Sequence, residues 1–273
     1  MTAAAGRAPI PGARPRRPRR SPFTLVALLF GFVFTLICAA PPPIGIGVDI
    51  GDLASNLARG REIIGEMLHP NFAFFPKTIQ PLIETFQMAV VACVLGCLVG
   101  LPLAFLASRI TAPGTWTLRI DRWTLNVVRA LPDLLYALVF VAAVGVGPLA
   151  GVLALLLFNI GVMAKLLSET VDAVDTGPIE AVVAAGASRT QMVRSAVFPQ
   201  VLPNYVAFSL YIFELNIRAS TVIGIVGAGG IGNVLNTQMK FFNFDNVGLV
   251  VLELFVLVLL IELASVSLRR RLV

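Results

Sequence analysis

Six long apolar stretches, each with at most two charged side chains, constrain what this chain of 273 residues can fold into. A helix that crosses a membrane needs about 20 mostly apolar residues. Each stretch meets or approaches that length, which predicts an all-α polytopic membrane protein with six transmembrane helices. The predicted spans are residues 23–40, 81–108, 125–146, 149–167, 203–226 and 247–267.

The composition excludes most classes of soluble protein. Hydrophobic residues make up 57% of the chain and charged residues 13%, whereas soluble domains average about 45–50% and about 25%. A water-facing surface cannot cover this excess, so a soluble enzyme and a disordered regulator are excluded. The net charge of +6 reflects arginines clustered at the two ends of the chain. This clustering, without a basic face carrying interleaved aromatic residues, argues against binding to nucleic acid.

The distribution of basic residues predicts the orientation in the membrane. With the N-terminus inside and six spans, fifteen lysines and arginines fall in cytoplasmic segments and four fall outside. Since basic residues favour the cytoplasmic side of apolar spans, both termini are predicted to be cytoplasmic. Residues 1–22 are then expected to be a disordered basic cytoplasmic tail, and residues 23–273 the transmembrane domain.

Residues 52–68, between the first and second spans, show a helical spacing of apolar side chains. Leu53, Leu57, Ile64 and Leu68 repeat at this spacing, which predicts an amphipathic helix on the external membrane surface. A short helix packed on the bundle would give the same pattern, and the sequence does not separate the two.

The longest predicted cytoplasmic connection after the N-terminus is the loop of residues 168–202. Its pattern predicts a short helix at 171–175, a break at Thr176-Gly177-Pro178, and a second helix at 179–185. Gly186 then interrupts the helix, because glycine allows the backbone to reverse without a clash of a Cβ atom. A helix–glycine–helix elbow between membrane spans is typical of a surface that docks a partner.

The residues of this elbow resemble the coupling loop of ABC-importer permeases. The family pattern is Glu-Ala-Ala, three residues, Gly, and then a Leu-Pro pair twelve residues beyond the glycine. Here the segment from Glu180 to Gly186 and the pair Phe198-Pro199 follow that spacing, although Val182 replaces the third residue of the pattern. The resemblance implies contact with a partner ATPase through Glu180, Ala181, Ala184, Ala185, Gly186, Ala187 and Ser188.

Three further segments are similar to permeases of the phosphonate-transporter subfamily: residues 129–138, 161–169 and 216–232. The resemblance covers about residues 70–270. It implies the type I ABC-importer permease fold in a bacterial inner membrane, a homodimer, two ATP-binding cassette subunits, and a periplasmic or lipid-anchored phosphonate-binding protein. It also implies that ATP and Mg²⁺ bind the partner ATPase and that this chain binds no cofactor. The implied cargo is a phosphonate or a related phosphorus oxyanion.

Other functions remain as alternatives. An ABC permease for another small solute, such as methionine, would share the coupling loop. An ion-driven secondary transporter would favour interrupted helices at corresponding positions, but only one glycine-rich break occurs. An enzyme is not expected, because the sequence has no Walker A segment for ATP. Cys93 and Cys97 share a helix face without further ligands nearby, so no metal site is predicted.

Arg218 is the most informative charged residue within a predicted span. A charged side chain at membrane depth usually faces a cavity or a partner. One hypothesis is that Arg218 lines the substrate pathway, with hydrogen bonds from Asn216, Ser220 and Thr221 nearby. The alternative is a structural ion pair, either with Glu214 one turn before it or with Glu253 in the sixth span.

Two other patterns have structural interpretations. Arg129 and Asp133 are expected to form an ion pair across Pro132 in a kinked third span. Residues 227–232 match the dinucleotide-binding pattern G-x-G-x-x-G, but they follow a membrane helix instead of a strand, so a tight turn is predicted. We hypothesise that exposed amides at Gly229 and Gly230 in this turn meet an oxyanion near the outer mouth.

Overall fold

The computed structural model describes residues 22–40 and 50–269, and all regular structure in these two ranges is helical. Most of the predicted N-terminal tail therefore lies outside the described residues. The helices are α1 (Pro22–Ala39), α2 (Ile50–Met67), α3 (Phe75–Ala107), α4 (Thr115–Ala130), α5 (Asp133–Val144), α6 (Pro148–Asp172), α7 (Thr176–Ala184), α8 (Arg189–Met192), α9 (Phe198–Ile225), α10 (Ile231–Lys240) and α11 (Phe244–Arg269).

The described residues fall into two compact units, with the boundary between Arg61 and Glu62. The first unit contains α1, a short apolar helix, and the start of α2. The predicted helix at 52–68 is confirmed as α2, which begins two residues earlier and ends one residue earlier. Its location at the external membrane surface remains a prediction.

Four helices of the second unit are long and apolar enough to cross a membrane. They are the continuous helical stretches Phe72–Ala107, Pro148–Asp172, Arg189–Ile225 and Phe244–Arg269. These confirm the apolar helices predicted at 81–108, 149–167, 203–226 and 247–267. All four begin earlier than predicted, and the ends differ from the predicted ends by one to five residues. Within the described ranges the count of spanning helices is four, or five if α4 and α5 together make one span.

The prediction of a single kinked helix at 125–146 is wrong. The chain instead forms α4 and α5, whose axes meet at 85°. The break lies at Leu131 and Pro132, both in extended conformation. A proline ring disfavours the helical conformation in the residue before it and lacks an amide donor. These effects end α4 and allow a sharp change of direction.

The loop predicted at 168–202 is shorter than expected, because both neighbouring helices extend into it. Thr176-Gly177-Pro178, predicted to be a break, instead forms the first turn of α7. Amides in the first turn of a helix have no acceptor within the helix, so a proline at this position loses no hydrogen bond. On the other side, α8 continues through a π turn (Val193–Val197) into α9. In this turn the Phe198 amide donates to the Val193 carbonyl, so the helical path passes Pro199 without a break.

The core of the second unit depends on close packing between α3 and α6. A Cβ atom at Gly96 would lie 2.5 Å from Cβ of Asn159, and one at Gly100 would lie 2.9 Å from Cβ of Met163. Alanines at positions 104 and 164 on the two helices are also fully buried. Small residues allow helix backbones to approach closely where lipid supplies no hydrophobic driving force.

We expect Gly96→Val to separate α3 from α6 and to destabilise the protein by about 1–3 kcal/mol, the usual cost of overpacking a core. Thermal unfolding of the purified protein in detergent measures the change. Gly65→Val is the matched control, because Gly65 is also helical and nothing lies within 4 Å of its Cβ position. Equal unfolding temperatures for the two variants would contradict the role of this packing.

Candidate functional site

The elbow, defined here as residues 173–188, contains α7 and the turn that ends it. Gly186 has a φ of +84°, in the left-handed region that favours glycine. The Gly186 amide donates to the Val183 carbonyl (2.9 Å), and the Ala187 amide donates to the Val182 carbonyl (3.2 Å). These two bonds define a Schellman motif, which satisfies carbonyls at the helix end. The prediction that Gly186 interrupts the helix is confirmed.

The two faces of α7 differ in burial. Ile179 and Val182 pack against the hydrophobic core that α3, α6 and α9 share. On the other face Glu180, Ala181 and Val183 are exposed, and Val183 keeps 54% of its surface accessible. The elbow therefore exposes a surface of mainly small and apolar side chains. Of the seven residues assigned to ATPase contact, all are exposed except the half-buried Ala187.

Hydrogen bonds at both ends of the elbow fix its conformation. At the start, the Asp175 carboxylate accepts the Gly177 amide (3.0 Å), and the Gln200 side chain accepts the Asp175 amide (3.1 Å). At the end, the Ser188 amide and hydroxyl both donate to Oε1 of Gln191, at 2.8 and 2.9 Å. Sequence reasoning missed Gln200, although a polar residue beside Pro199 at a predicted span boundary is a usable signal.

A cluster of three charged residues lies on α9 and α11. Glu214 is buried, and its carboxylate forms ion pairs with Arg218 one turn later and with Arg269 at 3.5 Å. The predicted pair of Arg218 with Glu214 is confirmed. Two guanidinium groups share one carboxylate, so the cluster has a net charge of +1. Arg269 was missed by sequence reasoning, because its contact joins residues that lie 55 positions apart.

The alternative pairing of Arg218 with Glu253 is wrong. Glu253 accepts a hydrogen bond of 2.6 Å from the Thr78 hydroxyl on α3 instead. The reason is the position of Glu253 along the axis of α11. Glu253 and Arg269 are 16 residues apart, which corresponds to about 24 Å along a helix. Since Arg269 reaches Glu214, Glu253 lies far from the Glu214–Arg218 pair.

The face of α9 that carries Arg218 is accessible, whereas the opposite face is buried. Half of the Arg218 side chain (53%) is exposed, and Tyr211, Val222 and Ile225 lie exposed on the same face. Asn216 and Ser220 are fully buried and donate to the backbone carbonyls of Ala89 and Ile217.

The predicted grouping of Asn216 and Ser220 with Arg218 is therefore wrong. Residues two positions apart on a helix lie on nearly opposite sides. Thr221 is half-buried and bonds to the Ile217 carbonyl at 3.3 Å. Arg218 is the member of the predicted pathway set that remains exposed in this structure.

The glycine-rich segment forms the predicted tight turn between α9 and α10, with positive φ at Gly227, Gly229 and Gly230. Its amides are not exposed as hypothesised. The Gly230 amide donates to the Glu84 carboxylate (2.9 Å), and the Ile231 amide donates to the Thr85 hydroxyl (2.8 Å). The N-terminus of α10 already binds an anion, the side chain of Glu84. Sequence reasoning missed this contact, which joins residues 146 positions apart, although a lone acidic residue within a predicted span indicates that a partner is needed.

The ion pair predicted between Arg129 and Asp133 is not formed within the described residues. The bend at Pro132 separates them, and the Asp133 carboxylate accepts the Leu134 amide (2.9 Å) at the start of α5. The Arg129 stem lies against Gly161 on α6, where a Cβ would be 2.9 Å from Cγ of the arginine.

Comparison with known proteins identifies the family. Residues 100–273 match the family model for the binding-protein-dependent transport system inner membrane component. The phosphite transport system permease protein PtxC of Stutzerimonas stutzeri is 38% identical over 245 residues, which cover 90% of this chain and 87% of that protein. The putative phosphite transport system permease protein HtxC of the same organism is 35% identical over 254 residues, covering 93% and 87%.

A solved structure shares the fold. The inward-facing MetNI methionine ABC transporter matches with a TM-score of 0.66 and 25% identity, over 74% of this chain and 99% of the matched chain. The chain therefore belongs to the binding-protein-dependent transport system inner membrane component family, as a permease subunit of an ABC transporter without an ATPase site of its own.

Proposed function

We propose that this permease imports phosphite, phosphonates or related phosphorus oxyanions. The observation that carries the proposal is identity of 35–38% over at least nine tenths of the chain to two proteins named as phosphite permeases. A methionine permease is less well supported, since the structural match to the methionine transporter has 25% identity over 74% of the chain. An ion-driven transporter is not favoured, because the family works with binding proteins.

The charge cluster on α9 supports an anionic cargo. A guanidinium group that faces the hydrocarbon core of the bilayer would cost about 2.5–3.5 kcal/mol or more. We therefore infer that the face of α9 with Arg218 lies toward a second permease subunit and the aqueous pathway between them. The net charge of +1 attracts an oxyanion, and the guanidinium can donate two parallel hydrogen bonds to its oxygens. Arg218 is thus proposed both as a structural partner of Glu214 and as a pathway residue.

The architecture in the membrane is also part of the proposal. We infer six spans with both termini cytoplasmic, in which α1 crosses first and the α4–α5 pair makes the third span. The basis is the distribution of basic residues, since fifteen fall in the cytoplasmic segments and four in the external segments. Residues 1–22 then form the cytoplasmic tail and residues 23–273 the permease domain.

The partners follow from the family and the elbow. In this orientation the elbow faces the cytoplasm, where its exposed side chains dock on one of two ATP-binding cassette subunits that hold ATP and Mg²⁺. A solute-binding protein delivers the cargo from outside. The comparisons do not support the narrower prediction of a homodimer, so the second permease subunit is proposed as another copy or a homologous chain.

The transport proposal predicts uptake by the reconstituted complex of this permease, its ATPase and its binding protein. Labelled phosphite is supplied to proteoliposomes, with ATP added either to the lumen or to the external buffer. Unlabelled phosphonate, phosphate or methionine serves as competitor. We expect uptake that depends on ATP and is inhibited by phosphorus oxyanions but not by methionine. Uptake of methionine without phosphite uptake would overturn the proposed substrate class.

We expect Arg218→Met to lower phosphite uptake by tenfold or more, since a charge-assisted hydrogen bond contributes about 1.5–3 kcal/mol. Arg218→Lys keeps the charge but loses the bidentate geometry, so an intermediate rate is expected. Arg119→Met is the control, because it removes an exposed arginine from α4. Normal assembly with unchanged uptake in Arg218→Met would remove Arg218 from the pathway.

Gly186→Val tests the elbow. A residue with a Cβ atom at this positive φ is strained by about 1–2 kcal/mol, and we expect the variant to retain less ATPase subunit in co-purification and to lose uptake. Gly114→Val is the matched control, because Gly114 has extended backbone (φ −168°) and nothing within 4 Å of its Cβ position. Wild-type retention of the ATPase by Gly186→Val would count against docking through the elbow.

A further inference from the structure

The elbow is fastened at both of its flanks to one short loop, residues 108–114, which joins α3 to α4. Asp172 immediately precedes the elbow and Arg189 immediately follows it. Both side chains bond to this loop, although it lies more than 60 residues earlier in the chain. The two contacts were not visible in the sequence, because neither follows a helical or strand spacing.

Asp172 is the centre of a junction that joins the ends of α3 and α6 to the middle of α4. Its Oδ1 accepts hydrogen bonds of 2.6 Å from the Ser108 hydroxyl and of 2.6 Å from the Arg109 amide. Its Oδ2 forms an ion pair of 2.8 Å with Arg122 on α4. The carboxylate is only 24% exposed. Three donors on one partly buried carboxylate form a set of charge-assisted bonds, which are stronger and more directional than neutral ones.

Arg122 extends the junction to the end of α3. Its Nε donates to the Ala107 carbonyl at 2.7 Å, while its Nη2 contacts Asp172. The last carbonyls of a helix have no partner within the helix, and a cation near them is favourable. One guanidinium group therefore joins the last residue of α3 to the last residue of α6.

At the other flank, Nη1 of Arg189 donates to the Ala112 carbonyl at 2.8 Å. Both attachments thus reach residues 108–112, at the start and near the end of the same loop. Apart from these bonds, the elbow is joined by the chain to α6 and α8, and Ile179 and Val182 pack against the core that α3, α6 and α9 share. With these bonds, α3 and α4 are tied to the elbow at the point where it meets its partner.

We propose that Asp172 and Arg189 are positioning residues that make the loop of residues 108–114 move with the elbow, so that the ATPase stroke displaces α3 and α4 together with α6 and α9. This inference rests on the proposed function of the elbow as the ATPase-docking element. In this proposal neither residue binds solute or nucleotide. Their effect is on how much transport each ATP hydrolysis event produces.

The ratio of phosphite transported to ATP hydrolysed tests the proposal in the reconstituted complex. We expect Asp172→Asn to assemble and to hydrolyse ATP at its basal rate, but to lower this ratio about fivefold or more, as for other coupled sites. Arg189→Ala removes one hydrogen bond, so we expect it to lower the ratio less than Asp172→Asn does. Arg189→Lys can still donate to the Ala112 carbonyl, so we expect it to restore the wild-type ratio.

Glu169→Gln is the matched control, because the Lys165–Glu169 pair (2.9 Å) lies within α6 and joins no other element. A wild-type ratio in this variant is expected. A wild-type ratio in Asp172→Asn or in Arg189→Ala would overturn the proposal. Should Asp172→Asn fail to assemble, Arg189→Ala supplies the comparison, since it leaves the Asp172 junction intact.

A distance measurement separates this inference from the proposed function. Spin labels at Gly114 and Thr176, both exposed, report on the loop and on the elbow after Cys38, Cys93 and Cys97 are replaced. We expect the same distance with and without ATP in the wild type, and a shifted or broadened distribution in Asp172→Asn with ATP. A change in the wild type would overturn joint movement even if phosphite is transported. Absence of transport with a constant distance would instead contradict the proposed function.

Discussion

Close approach of α3 to α6 through glycine and alanine is the constraint on which the rest of the second unit depends. α3 has 33 residues and is about 50 Å long, and a partner lies beside it at successive levels. Thr78 bonds to α11, Glu84 and Thr85 bind the turn before α10, and the Ala89 carbonyl accepts from α9. Further along α3, Gly96 and Gly100 allow the backbone of α6 to approach closely. If α3 were displaced, all of these bonds would lose their geometry together.

Several polar side chains at the interfaces of this core bond to the backbone of a neighbouring segment. The Glu84 carboxylate accepts a backbone amide at the start of α10, and the Asn216 amide donates to a backbone carbonyl. An unpaired polar group in an apolar environment is costly, so these contacts specify where the turn at 227–230 and the buried face of α9 must lie. They also explain why the glycine turn cannot offer its Gly230 amide to a solute, since the carboxylate of Glu84 already occupies it.

The sequence was sufficient for features that depend on neighbours within a few positions. The apolar helices, the reversal at Gly186 and the Glu214–Arg218 pair all follow from local spacing, and the structure contains each of them. Features set by distant residues were not accessible: Arg269 beside Glu214, Glu84 at the glycine turn, and the 85° bend at Pro132. A proline in an apolar run indicates a disturbance, but packing against the rest of the fold decides between a kink and a break. Pro199 shows the opposite outcome, because a π turn lets the helix continue past it.

The two parts of the candidate site are connected by a single helical path. From Arg189 to Arg218 the chain runs through α8, the π turn and α9, a distance of about 43 Å along the helix. Irregular turns and prolines are the positions at which long helices bend, so the π turn and Pro203 are where displacement of the elbow would alter the direction of α9. Above that point Glu214 is bonded to Arg269 of α11. Movement of α9 must therefore either carry α11 with it or break the contact with Arg269, which would leave the Glu214 carboxylate to Arg218 alone. In the second case the Glu214–Arg218 pair is electrically neutral, so Arg218 in its proposed pathway role would attract an oxyanion less strongly, and the same displacement would favour release of the proposed cargo.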